Sequence, residues 1–375
     1  MKMAKDIQIN QSNAAAEAAP PRRQWHMIRD IIILLLLGTG LYLLVPKFIG
    51  DREMLAVVKN ANFLMIPVAL AIETLSMLSI CRLYYEVMKS GGGSLSFPRL
   101  SLIYMSAYAF GHVVPGGNAG TVYLNYREYR NEGVSRRLAA KTLVISNLAY
   151  SAGLIAMLVC GLLLTLATGR LPFSYNITAI VISSGSILFV LLCVYVLIRP
   201  DLLRRVAVAL LHAIKAFHLL NAISDEEVES WVGDISDYVR SMFRDRRSLI
   251  RIGSCGIGFW FFDLACLYTV FVAIGHPINP GILMLSYTIA DIVGSLPLTP
   301  AGLGVFEVSL GAILYGFGYP KEVLATAILG FRFFSFWLCT LAGGGCYLVL
   351  LTQRRKQKLG GEVRGNPGIG RRSSL

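Results

Sequence analysis

The segment S-L-P-L-T-P-A-G-L-G-V-F-E, Ser295–Glu307, carries two prolines, two glycines and an acid between apolar runs long enough for a bilayer. Proline and glycine break helices, and a carboxylate in hydrocarbon is costly. Irregular backbone survives at membrane depth only where it is buried in protein or lines a wet cavity. The rest of the chain makes membrane depth the right setting. Its 375 residues are 55% hydrophobic and 15% charged, with mean hydropathy +0.60. No soluble domain can bury that much apolar side chain, so the sequence specifies an all-α polytopic membrane protein. The net charge of +13 sits in loops and tails beside apolar spans, where it sets topology and meets anionic lipid. It does not point to nucleic acid. The seven cysteines lie in or at the edges of apolar runs without metal-ligand spacing, and read as small buried hydrophobes.

Apolar stretches occur at about 31–45, 62–81, 100–126, 141–166, 176–198, 250–274 and 281–351. The first follows a basic flank but precedes Pro46-Lys47-Phe48, which is no small-residue cleavage site, so it reads as an uncleaved span. The last is too long for one span and breaks at 297–304 and again near Gly318-Tyr319-Pro320. Lys and Arg counts fix the parity. If 100–126 crosses once, the basic loop 199–251 and the basic C-terminal tail fall opposite the basic N-terminal tail. If it enters and leaves on one side, 29 of the 35 Lys and Arg lie inside and 5 outside, with Arg332 alone in a span. The second arrangement separates the charges, and 100–126 becomes a cytoplasmic re-entrant hairpin with the breaker V-P-G-G-N-A-G, Val114–Gly120, at its tip. The same logic makes 281–317 a hairpin entered from outside, with 297–304 at its tip. The expected fold is six full spans plus two opposed hairpins, or about eight spans if each hairpin arm crosses fully.

The two tips share a proline followed by Ala-Gly at the fourth and fifth positions after it, from Pro115 and from Pro297. A hairpin and a long span thus occur twice, in the form of an inverted repeat of the kind transporters use. The bland alternative is that both tips are loops between short spans. On the repeat reading, the tips face a shared polar cavity. Exposed backbone N–H groups at broken helices suit an anionic head group there.

P-L-T-P-A-G-L-G-V-F-E, followed by Gly311, Gly316, Gly318 and then Arg332, resembles the second-half signature of the lysylphosphatidylglycerol synthase transmembrane region. This family is also called flippase-like or uncharacterised protein family 0104. The first half is similar to it through V-P-G-G-N-A-G and Y-R-E-Y-R-N-E-G-V-S, and the likeness covers roughly 25–352. Many members carry Gly-Glu after the first tip and Glu-Arg in the next span. This chain has Ala119-Gly120-Thr121 and Ser146-Asn147-Leu148 there. The resemblance implies lipid handling. Its best-known relatives join this region to a soluble domain that transfers lysine from tRNA to phosphatidylglycerol. Here only a basic, Gly-rich tail follows Leu351, so the likeness is expected to extend to the membrane half of that function alone.

The expected division is a disordered cytoplasmic tail at 1–27, a flippase-like membrane domain at 28–352 and a basic disordered tail at 353–375. Within the membrane domain, 199–249 reads as a cytoplasmic loop of amphipathic helices. Leu202, Leu203, Val206, Leu210, Ile214 and Phe217 form one apolar stripe, and Ser224 with Glu227 is a capping box for a second helix. Candidate cavity residues are Pro115, Gly116, Gly117, Asn118 and Gly120 at the first tip, and Pro297, Pro300, Gly302 and Gly304 at the second. Asp291, Glu307 and Arg332 accompany the second. Glu307 and Arg332 form the natural ion pair, and the guanidinium can also hold a lipid phosphate bidentately. Glu73, His112, Asn147 and Asp263 are secondary candidates, and Tyr150 can join Asn147 in lining the cavity. Glu73 and His112 have packing roles as the competing reading. Asp263, among Trp260, Phe261 and Phe262, is expected to be protonated or to accept from a hydroxyl.

No nucleophile–base set, nucleotide loop or metal motif is visible, so neither catalytic residues nor a cofactor or metal is expected. The function expected is a flippase or transporter of an anionic or aminoacylated phospholipid, or of a lipid-linked precursor. The alternative is a membrane subunit presenting lipid to a lysyltransferase-like enzyme. Partners are then membrane lipids, and either further copies of the chain or a separate transferase. The expected location is the bacterial cytoplasmic membrane, with both termini inside.

Overall fold

The computed structural model of the chain describes residues 56–114, 117–168, 245–296 and 299–364, with isolated positions between 184 and 205. The N-terminal tail, the expected span at 31–45, most of 199–249 with the amphipathic helices expected there, and Pro115, Gly116 and Pro297 lie outside the described residues, as does most of 176–198. The described residues are helical, with no strand among them. In chain order they form α1 (Met65–Ser90), α2 (Phe97–Val113), α3 (Asn118–Asn131), α4 (Arg136–Ala167), α5 (Arg246–Ala273) and α6 (Pro280–Gly294). A 3₁₀ turn at Pro300–Gly302 leads to α7 (Val305–Gly316) and α8 (Lys321–Arg332). A π-helical turn at Phe333–Leu338 then leads into α9 (Cys339–Arg364). Residues 353–364, expected as the start of a disordered tail, continue α9 instead. Gln353, Arg354, Arg355, Lys356, Gln357, Lys358 and Leu359 are good helix formers, so an established helix simply propagates through them.

Four helical stretches are long and apolar enough to cross a bilayer: α1, α4, α5 and the continuous run Lys321–Arg354. Their outward faces carry exposed apolar side chains such as Ile66, Val68, Leu70, Leu75 and Leu78 on α1, as lipid-facing surfaces do. The remaining helices are shorter. The 17-residue α2 measures about 26 Å and the 12-residue α7 about 18 Å, both short of a core of about 30 Å.

Sequence punctuation sets these boundaries. Pro98 occupies the first turn of α2 and Pro280 that of α6, where the missing N–H costs nothing. Asn279 Oδ1 accepts from the N–H groups of Gly281 and Ile282, Ser135 caps α4 and Asp245 caps α5. Each short pair closes at its foot. Arg99 at the start of α2 pairs with Glu132 just after α3 at 2.6 Å. The N–H of Asn279, just before α6, donates to the Tyr319 hydroxyl beyond α7 at 3.3 Å. Both pairs are therefore hairpins, with neighbouring feet and a broken tip.

The packing is reciprocal. The two lead helices, α1 and α5, pack on each other, the arm α2 lies along α9, and the arm α6 lies along α4. Thus the span after each hairpin embraces the first arm of the other. Small residues allow the close approaches. A Cβ on Gly153 would stand 2.6 Å from the Gly256 carbonyl oxygen, and one on Gly161 would stand 2.7 Å from the Leu285 nitrogen. Basic side chains gather at one end. There Arg99 also contacts Gln353, Arg354 pairs with Glu128, and Arg251 lies 3.6 Å from Glu86.

Candidate functional site

The two tips meet. The 3₁₀ turn of the second hairpin packs against α2 of the first, and both tips line a half-open cavity of about 660 Å³. The first tip contributes Gly117, Asn118 and Thr121, and the second contributes Thr299, Ala301 and Gly302. Their backbones need unusual dihedrals. Gly117 has φ +51° and Gly302 φ +67°, in the left-handed region that glycine enters without strain. Ala301, between Pro300 and Gly302, also has positive φ, a sign that the surrounding packing holds the turn.

Arg332, at the end of α8, is fixed from two sides. Its Nε lies 2.6 Å from Glu307 Oε1, and its guanidinium stacks over the Phe306 ring at 4.1 Å. Glu307 Oε2 accepts from the Gly304 N–H at 2.7 Å, so one carboxylate caps α7 and holds the guanidinium of the next helix. The π turn begins directly after Arg332 and presents Ser335 to the cavity. Such turns are frequent at functional sites.

The first half supplies amides in place of ions. Asn118 Nδ2 donates to Asn147 Oδ1 at 3.2 Å, and Asn147 Nδ2 donates to the Tyr84 hydroxyl and to the Leu143 carbonyl. His112 Nδ1 is 2.9 Å from the Thr340 hydroxyl, and its ring stacks on Phe336 at 4.6 Å. At the back of the cavity Asp263 accepts from the Tyr287 hydroxyl. Asp291 lies one helical turn beyond Tyr287 on α6.

Of the residues the sequence singled out, Gly117, Asn118, His112, Asn147, Tyr150, Asp263, Asp291, Gly302 and Arg332 line the cavity together. Four others sit behind it. Glu307 holds Arg332, Gly304 caps α7, Gly120 faces Gly111 between the hairpin arms, and Glu73 is buried beyond Asp263. Pro300 opens the 3₁₀ turn. Sequence reasoning missed the aromatic wall of Tyr84, Tyr104, Tyr108, Trp260, Tyr287 and Phe331. Part of the signal was present: Tyr104, Tyr108 and His112 recur every fourth residue on α2, as do Tyr287 and Asp291 on α6.

The family model described as lysylphosphatidylglycerol synthase TM region matches residues 31–343. The chain belongs to this family. Among curated proteins it is similar to a UPF0104 membrane protein of Pyrococcus horikoshii, 21% identical over 86% of this chain and 97% of the relative. A UPF0104 membrane protein of Methanothermobacter thermautotrophicus is 28% identical over a shorter stretch, 33% of this chain and 40% of the relative, so the chain spans less than half of that protein. The glycosyltransferase AglD of Haloferax volcanii is 26% identical over 28% of this chain and 18% of its own length. All three relatives are archaeal, whereas the sequence was read as that of a bacterial membrane protein. What the family match and the helices together establish is an integral multi-pass membrane protein.

Proposed function

We propose that this family member moves a phospholipid or lipid-linked intermediate across the cytoplasmic membrane, with the head group passing through the cavity between the hairpin tips. The observation that carries this reading is the convergence of two helix breaks from separate hairpins on one polar cavity containing Arg332. A lipid phosphate there gains a guanidinium and tip N–H groups, while the acyl chains stay beside the exposed apolar faces. Carboxyls at Asp263 and Asp291 line the same cavity and can accept hydrogen bonds from a head-group amine, which suits an aminoacylated lipid. The basic end, carrying Arg99, Arg127 and Arg354, faces the cytoplasm in this reading, with both chain termini inside.

The test is lipid scrambling in proteoliposomes containing fluorescent phosphatidylglycerol, with wild type compared to Arg332→Ala. The expected result is head-group exchange by wild type and at least tenfold slower exchange by the variant at equal folded content. A wild type that exchanges none of a panel of anionic, zwitterionic and aminoacylated lipids overturns the reading. A second reading, a lipid-presenting partner of an enzyme, draws support from the stretch shared with a glycosyltransferase. Under it, the purified protein binds lipid in the cavity without exchanging it.

A further inference from the structure

Behind the cavity, two carboxyls meet where the lead helices pack. Glu73 of α1 lies within hydrogen-bonding reach of Asp263 of α5, and the two are only 2% and 6% exposed. Nearby, Ser76 donates to the Phe259 carbonyl at 3.0 Å and ties the same two helices together. Two carboxylate oxygens at that separation repel each other unless a proton lies between them. Their other partners are weak or neutral. Glu73 Oε1 accepts from the Cys339 thiol at 3.7 Å, and Glu73 Oε2 has no donor among the described residues. Asp263 accepts from Tyr287.

The surroundings offer little compensating charge. Cys266 of α5, Tyr108 of α2 and Tyr150 of α4 stand near the pair, and thiols and phenols carry no charge at neutral pH. Asp291 of α6 adds a third carboxyl, and Arg332 of α8, the cation facing them, is already paired with Glu307. Two fully ionised acids in a low-dielectric interior would be left without a counter-charge, which is strongly unfavourable. No three His, Cys, Asp or Glu side chains among the described residues are placed to hold a metal ion, so a bound metal is a poor fit for that charge.

We propose that Glu73 and Asp263 share a proton and form a proton-binding site whose occupancy is linked to that of the cavity. Asp263 and Tyr287 line the cavity, so the pair reaches it through them, while Glu73 is shielded behind. A phosphate entering beside Arg332 brings negative charge close to the pair and favours its protonated form. By reciprocity, the protonated pair binds the phosphate more tightly. Affinity for an anionic lipid therefore rises as pH falls, and binding takes up protons from solution. This linkage rests on the proposed lipid reading, whereas the shared proton does not.

The experiment separates the two. Infrared difference spectra of the purified protein in detergent, between acidic and alkaline buffer, should show the carbonyl band of a buried protonated carboxyl that shifts or disappears in Asp263→Asn and in Glu73→Gln. Absence of such a band in wild type overturns the proton site whatever any lipid assay gives. Binding of short-chain phosphatidylglycerol is then measured from about pH 8 to about pH 6, with proton uptake followed in weak buffer. Wild type should bind roughly fivefold or more tightly at the acid end, and the Glu73→Gln, Asp263→Asn double variant should lose that dependence. Binding with the same pH dependence in the double variant overturns the linkage. A carboxyl band present in a wild type that binds no lipid supports the proton site and defeats the transport reading instead.

Discussion

The two hairpins follow one plan with different chemistry at the tip. In each, the glycine that ends the shared Ala-Gly, Gly120 or Gly302, faces a glycine on the first arm. A Cβ on Gly120 would stand 3.4 Å from the Gly111 Cα, and one on Gly302 would stand 2.5 Å from the Gly294 carbonyl oxygen. In each, a side chain of the following span reaches back to the hairpin. In the second hairpin that contact is the Arg332–Glu307 ion pair, whereas in the first it is the neutral Asn147–Asn118 amide bond. One half of the cavity therefore carries fixed charge and the other offers hydrogen bonds. Under the lipid reading, charge recognition belongs to the second half, and the first half contributes shape and a surface that water or a head group can replace.

The strongest way to break that contrast is to remove the acid. Glu307→Ala strands a largely buried guanidinium and uncaps α7. The expected loss is about 3–5 kcal/mol for the orphaned charge and about 1 kcal/mol for the cap, read as thermal unfolding in detergent. Glu307→Gln keeps an oxygen for the Gly304 N–H and removes only the charge. It should retain the cap's share of stability. Equal losses in the two variants would mean that the capping bond contributes nothing.

The tips sharpen the comparison at a smaller scale. Gly302→Ala meets both a left-handed backbone and a carbonyl oxygen 2.5 Å from the new Cβ. Strain of about 1–2 kcal/mol then adds to overpacking of about 1–3 kcal/mol. Gly117→Ala meets open space, so it should cost the backbone strain alone, about 1–3 kcal/mol, with no overpacking added. If the two glycines prove equally sensitive, the second tip is not the more tightly packed one.

Much of this arrangement was legible in the sequence because bilayer physics is one-dimensional. Span length, breakers and the side preference of Lys and Arg are all local properties, and they gave the two hairpins and their tips. The Glu307–Arg332 pairing was legible because intramembrane charges seldom stand alone. The contact between Glu73 and Asp263 was not, since it joins residues 190 positions apart through the packing of α1 on α5. Helical periodicity says which face of each helix is polar but not which two faces meet. The aromatic wall was hidden for a related reason. Tyrosine is common both at interfaces and in cores, and only the fold decides which hydroxyls reach a cavity.

The smallest effect belongs to the amide contact of the first tip. Asn118 is exposed, and Asn147 keeps Tyr84 and the Leu143 carbonyl as partners when Asn118 is removed. Asn118→Ala should therefore cost about 0.5–1.5 kcal/mol at most, the net worth of one hydrogen bond, and leave lipid exchange nearly intact. Asn118→Asp preserves the side-chain shape but gives up the bond to Asn147 Oδ1, because flipping the Asn147 amide would turn its oxygen onto the Leu143 carbonyl, and it places a carboxylate in the neutral half of the cavity. Its stability should stay close to that of Asn118→Ala, which loses the same bond, while exchange of fluorescent phosphatidylglycerol slows and that of a zwitterionic analogue does not. Equal slowing of both lipids would locate the effect in the geometry of the tip, and the division of the cavity into a charged and a neutral half would lose its functional meaning.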